Sequence, residues 1–413
     1  MSKFLWTQHT NFGPSPRAGS AIAYDANLSR VVLFGGVTMG DHSLPLDLHG
    51  DTWEWDGSFW TQVDDIGPFP RSSAAMVYDS TRKVCVLFGG MGAAGIGGVT
   101  IKPGDTWQWD GADWTQLSES GPPERTDHAM AFDNDRSRTL LFGGFAGTHF
   151  GDTWEFDGEN WTQVHDAGPS PRLDHSMAYD DVGRRVILFG GNGDVLNLGD
   201  TWAWDGQEWV QIAEFGPAGR SGAAMASAGG SLILHGGART GTDPQVLADT
   251  WEFDGKLWTQ RQDIGPGPLQ GASMAFDSGR SRMVLFGGNS ASSFDDPQTL
   301  NGSTWESPIT IAASPAPVAV ASIIVPANVR AQQPAPITIV LTGPAPEGGA
   351  VVNFTGPIFA PNGADLGSVT ITAGLTSMQL QVAFAGPPGA IVTITAQIGG
   401  TPAITISVPL QFL

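Results

Sequence analysis

Five arginines occupy one position of a repeated pattern, a few residues before a short predicted β-strand. They are Arg17, Arg71, Arg125, Arg172 and Arg220, and the sixth copy has Leu269 at this position. Guanidinium groups brought together could bind the carboxylates of a ligand such as an acidic sugar, because each donates two parallel hydrogen bonds. Alternatively, each arginine pairs with a neighbouring copy, for example with the aspartate of its Asp-Thr-Trp block or with loop carbonyls. We favour this structural interpretation, since five equivalent positions indicate architecture rather than one asymmetric site.

An asymmetric feature lies three residues after the arginines. Two adjacent copies have histidine there, His128 and His175, and an aspartate precedes each one, Asp127 and Asp174. The other four copies have Ser20, Ala74, Ala223 and Ala272. Imidazoles and carboxylates that converge could bind a metal or act as acid and base, and His149 in the intervening loop could join them. The alternative is a pair of histidines that hydrogen-bond to the main chain, and we expect neither catalysis nor a metal.

The elements that position these residues are repeated six times. Each copy contains a Phe-Gly-Gly block such as Phe34-Gly35-Gly36, an Asp-Thr-Trp block such as Asp51-Thr52-Trp53, and a Trp-Thr-Gln block such as Trp60-Thr61-Gln62. The period of 46 to 54 residues accommodates four strands, and the runs between Gly, Pro and Asp are rich in β-branched and aromatic residues. Such small sheets must stack on one another to bury their faces.

The phase of the copies predicts how the assembly closes. The chain starts with a lone Trp-Thr-Gln block in residues 4–8, and the last copy lacks this block. We therefore expect residues 4–8 to add the outer strand to the last sheet, which gives six blades.

These blocks resemble the kelch repeat over residues 4 to about 306. The resemblance implies an all-β fold in which residues 1–306 form a six-bladed kelch β-propeller closed by the N-terminal strand, with the five arginines and both Asp-His pairs at the rim of its channel. Kelch propellers include actin-binding proteins, ligase adaptors and several enzymes, so the resemblance leaves function open. The copper-radical and iron-binding patterns of the enzymes are missing here, and we expect no cofactor.

A second domain is predicted after residue 306. Residues 307–317 have the composition of a linker, and residues 318–413 contain only three charged residues and no tryptophan. Runs such as Ile337-Thr338-Ile339-Val340-Leu341 alternate with period two and are separated by Gly/Pro turns. This part resembles a bacterial Ig-like β-sandwich, especially through Gly343–Val352. Such modules occur in surface proteins and phage-related particles, where they dock or act as spacers.

Composition limits the partners and the compartment. The formal charge of −21 argues against nucleic acid and anionic membranes. The single cysteine, Cys85, excludes an intramolecular disulfide, and neither a signal peptide nor a membrane-spanning apolar run is visible. We expect no membrane insertion, and an extracellular or particle-associated location is favoured over the cytoplasm.

Strand order places the long loops of a propeller on one face. They are residues 37–50, 91–104, 145–151, 192–199, 238–248 and 289–302. Long loops on a rigid scaffold commonly carry binding sites. The sequence therefore predicts a non-catalytic recognition or assembly module that binds a protein or glycan through this face, with the Ig-like domain as docking or spacer module. The alternatives are a structural component of a surface layer, phage-like or injection particle, and a sugar mutarotase or metal-assisted lyase at the channel rim.

Overall fold

The computed structural model divides the chain into two compact units, Met1–Ile311 and Ala312–Leu413. It describes residues 4–9, 12–38, 47–94, 99–118, 121–165, 167–213, 216–240, 244–261, 263–291 and 299–309 of the first unit. In the second unit it describes residues 320–325, 329–330, 333–341, 350–355, 358–359, 368–371, 375, 377–385, 391–398 and 404–411. Residues 310–317 of the predicted linker and 343–349 of the Ig-like signature lie outside these ranges, as do parts of four of the six predicted loops.

The described part of the first unit contains six four-stranded antiparallel sheets. Sheet 1 contains Ala21–Asp25, Arg30–Phe34, Thr52–Trp55 and Trp60–Asp64. Sheet 2 contains Ala75–Asp79, Val84–Phe88, Thr106–Trp109 and Trp114–Ser118. Sheet 3 contains Ala129–Asp133, Arg138–Phe142, Thr153–Phe156 and Trp161–His165. Sheet 4 contains Ser176–Asp180, Arg185–Phe189, Thr201–Trp204 and Trp209–Ala213. Sheet 5 contains Ala224–Ser227, Leu232–His235, Thr250–Phe253 and Trp258–Arg261. Sheet 6 contains Ser273–Asp277, Arg282–Phe286, Thr304–Pro308 and Thr7–His9.

Shorter strands lie in the loops after the double glycines. They are Val37–Thr38 with Asp47–Leu48, Met91–Ala94 with Arg71–Ser72 and Val99–Ile101, and Ala238–Arg239 with Gln245–Val246. In every copy, the residue after the arginine position pairs with the residue after the double glycine, as Ala18 does with Val37. This pairing holds the first residue of each loop next to the start of the first strand of its sheet.

The N-terminal strand joins the last sheet, but with a shorter segment than the sequence predicts. Thr7–His9 pairs antiparallel with Thr304–Pro308, whereas Phe4–Leu5 pairs parallel with Asp263–Ile264. Between the two pairings, Trp6 is buried against Gly265, where a Cβ would lie 2.3 Å from the indole Cδ1 atom. Burying this indole at the boundary divides residues 4–9 between two partners.

The repeated blocks make contacts between neighbouring sheets. The tryptophan of each Trp-Thr-Gln block in sheets 1 to 5 donates its indole N–H to the threonine of the preceding sheet's Asp-Thr-Trp block, over 2.7–2.9 Å. For sheet 1, this partner is Thr304 of sheet 6. Similarly, the N–H of Gly36 donates to the Arg71 carbonyl at 2.9 Å, and a Cβ on Gly35 would lie 2.5 Å from the same oxygen. The double glycine therefore permits close approach of the next copy.

The first strands of consecutive sheets contact one another, and the first strand of sheet 6 contacts that of sheet 1. Apolar side chains fill the spaces between the sheets; among them Trp55, Trp109 and Trp204 are fully buried. Tight hairpins end the sheets opposite the loops: in the first, the Asp56 carboxylate accepts the N–H groups of Ser58 and Phe59, and Gly57 has φ +99°. The interfaces are thus built from the residues that repeat.

The second unit contains two sheets. One contains Val320–Ile324, Ala335–Leu341, Ser377–Phe384 and Ile358–Phe359. The other contains Val329–Arg330, Ile404–Gln411, Ile391–Ile398, Ala350–Thr355 and Ser368–Ile371. Alternate residues of Ala335–Leu341 are buried, and both sheets contribute to one apolar core. The Ig-like assignment itself stays a prediction. Throughout the described residues, no helix has the length and apolarity needed to cross a membrane.

Candidate functional site

The five repeated arginines are buried in ion pairs with the scaffold. Arg17 donates from Nη1 to Asp51 Oδ1 at 2.6 Å and from Nη2 to Asp51 Oδ2 at 3.0 Å, and its Nη1 also reaches the Gly35 carbonyl at 3.0 Å. The equivalent pairs are Arg71–Asp105, Arg125–Asp152, Arg172–Asp200 and Arg220–Asp249. All three nitrogens of each guanidinium donate hydrogen bonds. These contacts occupy each guanidinium within the scaffold, but the expected pairing with a neighbouring copy is wrong, because the aspartate and the glycine carbonyl of the same copy lie next to the arginine.

The aspartates of these pairs have lowered pKa values, as expected for partners of a positive charge. Burial acts to raise the pKa of Asp51, but hydrogen bonds from Arg17 and Trp53 outweigh it, so the pKa lies below its ordinary value. The sixth copy lacks both partners, because Leu269 and Ser303 replace arginine and aspartate. Losing only one would leave an uncompensated buried charge, which explains why the two changes occur together.

A ring of main-chain hydrogen bonds lies two residues beyond the arginine position. Its members are Gly19, Ser73, Asp127, Asp174, Gly222 and Gly271, all with φ between 53° and 63°. The N–H of each member donates to the carbonyl of the previous one over 2.8–3.1 Å, and Gly19 completes the ring by donating to Gly271. Three members are glycine because this conformation is left-handed, and aspartate tolerates it better than most residues do.

A cavity of about 420 Å³ lies at this ring. Its wall includes both Asp-His pairs, hydroxyl groups such as Ser20 and Ser73, and Val37 from the root of a long loop. The cavity therefore belongs to the long-loop end of the first unit. Its volume is in the range of small-ligand sites.

Asp127 and Asp174 lie close enough in this wall for each to shift the pKa of the other. Burial, followed by the charge of Asp127 and a hydrogen bond with it, raises the pKa of Asp174 well above its ordinary value. Burial also raises the pKa of Asp127, although a hydrogen bond with Ser73 and the positive charge of Lys102 act in the opposite direction. Asp174 is therefore the member that holds a proton when an ordinary aspartate has lost it. Both keep some exposed surface because they face the cavity.

The two histidines are buried and uncharged. Each is 6% exposed, and each packs edge-on against a phenylalanine, Phe88 or Phe142, with ring centroids 5.5 Å apart. Burial, assisted by the positive charge of Arg125, lowers the pKa of His128 to about 3, and burial with Arg172 lowers that of His175 well below its ordinary value. The main chain of the phenylalanines only partly opposes these shifts.

Neither ring nitrogen of His128 or His175 has a hydrogen-bond partner of ordinary geometry among the described residues. The alternative interpretation from the sequence, that main-chain hydrogen bonds satisfy these histidines, stays a prediction, since the main chains of Phe88 and Phe142 do act on the two rings. The Cε1 atom of His128 would contact a Cβ on Gly89 at 2.8 Å, so the ring is packed against a glycine of the preceding copy.

His149 lies apart from the Asp-His pairs. Its Nδ1 atom is 2.6 Å from Asp194 Oδ1, its ring packs against Phe145 at 5.5 Å, and it does not line the cavity. Within the described ranges, no group of three or more His, Cys, Asp or Glu side chains is arranged to hold a metal.

The sequence did not indicate that the two aspartates interact with each other across neighbouring copies. The available signal was their position, since they replace the glycine or serine that the other four copies carry there.

Repeated four-stranded sheets arranged around a common cavity define the class of this chain as a β-propeller. The chain belongs to the family described as the KLHDC2/KLHL20/DRC7 Kelch-repeats domain, whose model matches residues 1–171 and 158–329. The structure titled "Structure of YjhT" is similar, with a TM-score of 0.56 and 15% sequence identity over 71% of this chain and 95% of that chain. At this identity the likeness concerns the fold alone. A search of curated proteins finds no match.

Proposed function

We propose that this chain is a recognition module that binds a protein through the long-loop end of its propeller, with the central cavity receiving a group from the partner. The observation that carries the proposal is the cavity wall, which contains two half-buried carboxyl groups with raised pKa values beside hydroxyl groups such as those of Ser20 and Ser73. Carboxyl groups that are partly removed from water are costly unless a ligand pairs with them. Kelch-repeat propellers generally mediate protein interactions, which agrees with this role.

The proposal includes a six-bladed propeller whose last blade combines both ends of the repeat region. It is supported by the six sheets, by the ring of hydrogen bonds that returns from Gly271 to Gly19, and by Thr7–His9 in sheet 6. Such a ring holds the cavity wall rigidly, because each member is fixed by two neighbours. A rigid wall lowers the entropic cost of binding.

For the C-terminal unit we propose an Ig-like sandwich that docks the module or spaces it from an assembly. Its two sheets, its shared core and its nearly uncharged sequence support this role.

The proposed face can be tested with one charge placed on either end of the first unit. Val195 is 85% exposed in a long loop, and Val182 is 65% exposed in a hairpin at the other end. Val195→Glu should abolish capture of a protein partner by the immobilised full chain, whereas the matched Val182→Glu should retain it. The partner is identified by mass spectrometry, purified, and its affinity is measured for both variants.

Equal capture by both variants, or loss only with Val182→Glu, would refute the long-loop face. A glycan array run with the same variants covers the other ligand class. If a glycan binds and Val195→Glu abolishes that binding, the long-loop face is the binding face and its ligand is a glycan rather than a protein.

A second candidate function, acid–base catalysis on a sugar at the channel rim, is favoured by one observation. Two neighbouring carboxyl groups with raised pKa values, that of Asp174 well above its ordinary range, can provide an acid and a base in one site. Turnover of reducing sugars, followed by NMR of their anomeric protons, should then disappear in Asp127→Asn and Asp174→Asn. The recognition role predicts no turnover by the unmodified chain.

A further inference from the structure

We propose that the cavity at the ring binds a primary alkylammonium group, supplied by a lysine side chain of a partner or by a small amine. This inference rests on the proposed function, because it names the group that the recognition face takes. It stands on the charges and hydrogen-bonding groups of the cavity wall.

The first argument is uncompensated negative charge. Asp127 and Asp174 line the cavity, and its wall contains no arginine or lysine among the described residues. The nearest arginines, Arg125 and Arg172, are occupied by Asp152 and Asp200. Lys102 acts on Asp127 only from outside the wall, with its Nζ atom 4.5 Å from the centre of the Phe145 ring. A cation is therefore the missing partner.

The second argument is the supply of hydrogen-bond acceptors. An ammonium group donates three hydrogen bonds and accepts none. The cavity offers the two carboxyl groups and the hydroxyl groups of residues such as Ser73 and Ser221. His128 and His175 are nine-tenths buried in the same wall, and because burial lowers their pKa values, their neutral rings add no competing positive charge. Acceptors thus outnumber fixed donors around the cavity.

Two other kinds of cation fit less well. Quaternary ammonium groups are recognised by aromatic cages, and no Phe, Tyr or Trp of the described chain lines this cavity. Divalent metals prefer several carboxylate or imidazole ligands, and the described residues contain no group of three such side chains suited to a metal. A primary ammonium group requires only hydrogen-bond acceptors, and the wall contains carboxyl and hydroxyl oxygens.

Binding should release a proton from the carboxyl pair, because burial raises the pKa of both members. A cation next to the pair favours the charged form of both carboxyl groups, so the protonated member loses its proton when the amine enters. The groups that face the pair are Lys102, His128, His175 and, behind the wall, Arg125 and Arg172. The histidines stay neutral and the arginines remain in ion pairs, so the carboxyl pair is the group that titrates. Affinity should therefore rise with pH, by at least tenfold between pH 5 and pH 8.

Isothermal titration calorimetry of the full chain at pH 5 and pH 8 tests ammonium binding and its pH dependence. Buffers of different ionisation enthalpy reveal whether binding releases a proton. The probes are n-butylamine and an acetylated, amidated Gly-Gly-Lys-Gly-Gly peptide, each compared with its N-trimethylated form. Comparable affinity for both amines indicates a free amine as the ligand, whereas an at least tenfold preference for the peptide indicates a lysine side chain.

The variants Asp127→Asn and Asp174→Asn should weaken binding at pH 8 at least tenfold, because asparagine keeps the shape and tolerates the left-handed backbone. Asp181→Asn removes the same charge in a hairpin at the other end and should change nothing. Thermal unfolding confirms that the variants fold, and proton release by the unmodified chain is a readout that needs no variant.

The inference is overturned if neither amine binds at pH 8, if the trimethylated probes bind equally well, or if the asparagine variants bind as the unmodified chain does. Protein capture that Val195→Glu abolishes and Asp127→Asn leaves unchanged would preserve the recognition face and reject the ammonium site.

Discussion

Removing one partner of a buried arginine–aspartate pair should destabilise the first unit much more than removing both. In Arg172→Leu, Asp200 keeps its charge with only 21% of its side chain exposed, and the Gly190 carbonyl loses a 2.9 Å hydrogen bond. Breaking a buried pair in this way costs about 3–5 kcal/mol, and the residual exposure of Asp200 places the cost near the lower end.

The matched variant copies what the sixth repeat already contains. Arg172→Leu with Asp200→Ser reproduces Leu269 and Ser303, so no buried charge remains. It loses the 2.9 Å hydrogen bond from Arg172 to the Gly190 carbonyl and the 2.7 Å hydrogen bond from Trp202 to Asp200. The corresponding Trp305 indole of the sixth copy has no partner among the described residues. We expect about 1–2 kcal/mol for the double variant, since a neutral hydrogen bond contributes about 1 kcal/mol.

Urea unfolding followed by tryptophan fluorescence measures the difference. All 15 tryptophans lie between residues 6 and 305, so the signal reports on the first unit alone. A double-mutant cycle with Arg172→Leu and Asp200→Ser should give a coupling energy of at least about 1.5 kcal/mol. Additive costs, or a double variant less stable than Arg172→Leu, would refute the view that paired charge decides these positions.

Three further variants test the packing and titration argued above. Asp174→Asn should raise the free energy of unfolding at pH 8 and leave it unchanged below pH 4, because a raised carboxyl pKa costs stability as the pH rises above its unfolded value; urea titrations at both pH values check this. Gly35→Ala should cost at least about 1 kcal/mol, since φ is +66° and the Cβ would lie 2.5 Å from the Arg71 carbonyl; a normal urea midpoint would contradict it. Trp161→Phe should cost about 1 kcal/mol or more by losing the 2.9 Å hydrogen bond to Thr106, and Thr106→Val in that background should add less than it does alone.

The repeat was readable from the sequence because each recurring residue performs the same local task in every copy. Gly35 must allow the next copy to approach, and Trp60 must both fill an interface and donate to a threonine of the neighbouring sheet. Residue types with such narrow requirements recur at fixed spacing. The short pairing of Thr7–His9 was less predictable, because the burial of Trp6 that divides this segment depends on a glycine about 260 residues away.

The sequence by itself determined the six-fold repetition, the strand content and the positions of the arginines and the Asp-His pairs. Only the tertiary structure decided what these groups do, because folding selects their partners. Arg172 pairs with Asp200 of its own copy, whereas His149 pairs with Asp194 of the next copy and Asp127 lies against Asp174 of the next copy. Spacing along a chain specifies local backbone geometry, whereas the charge and solvation of a side chain depend on residues that folding brings together.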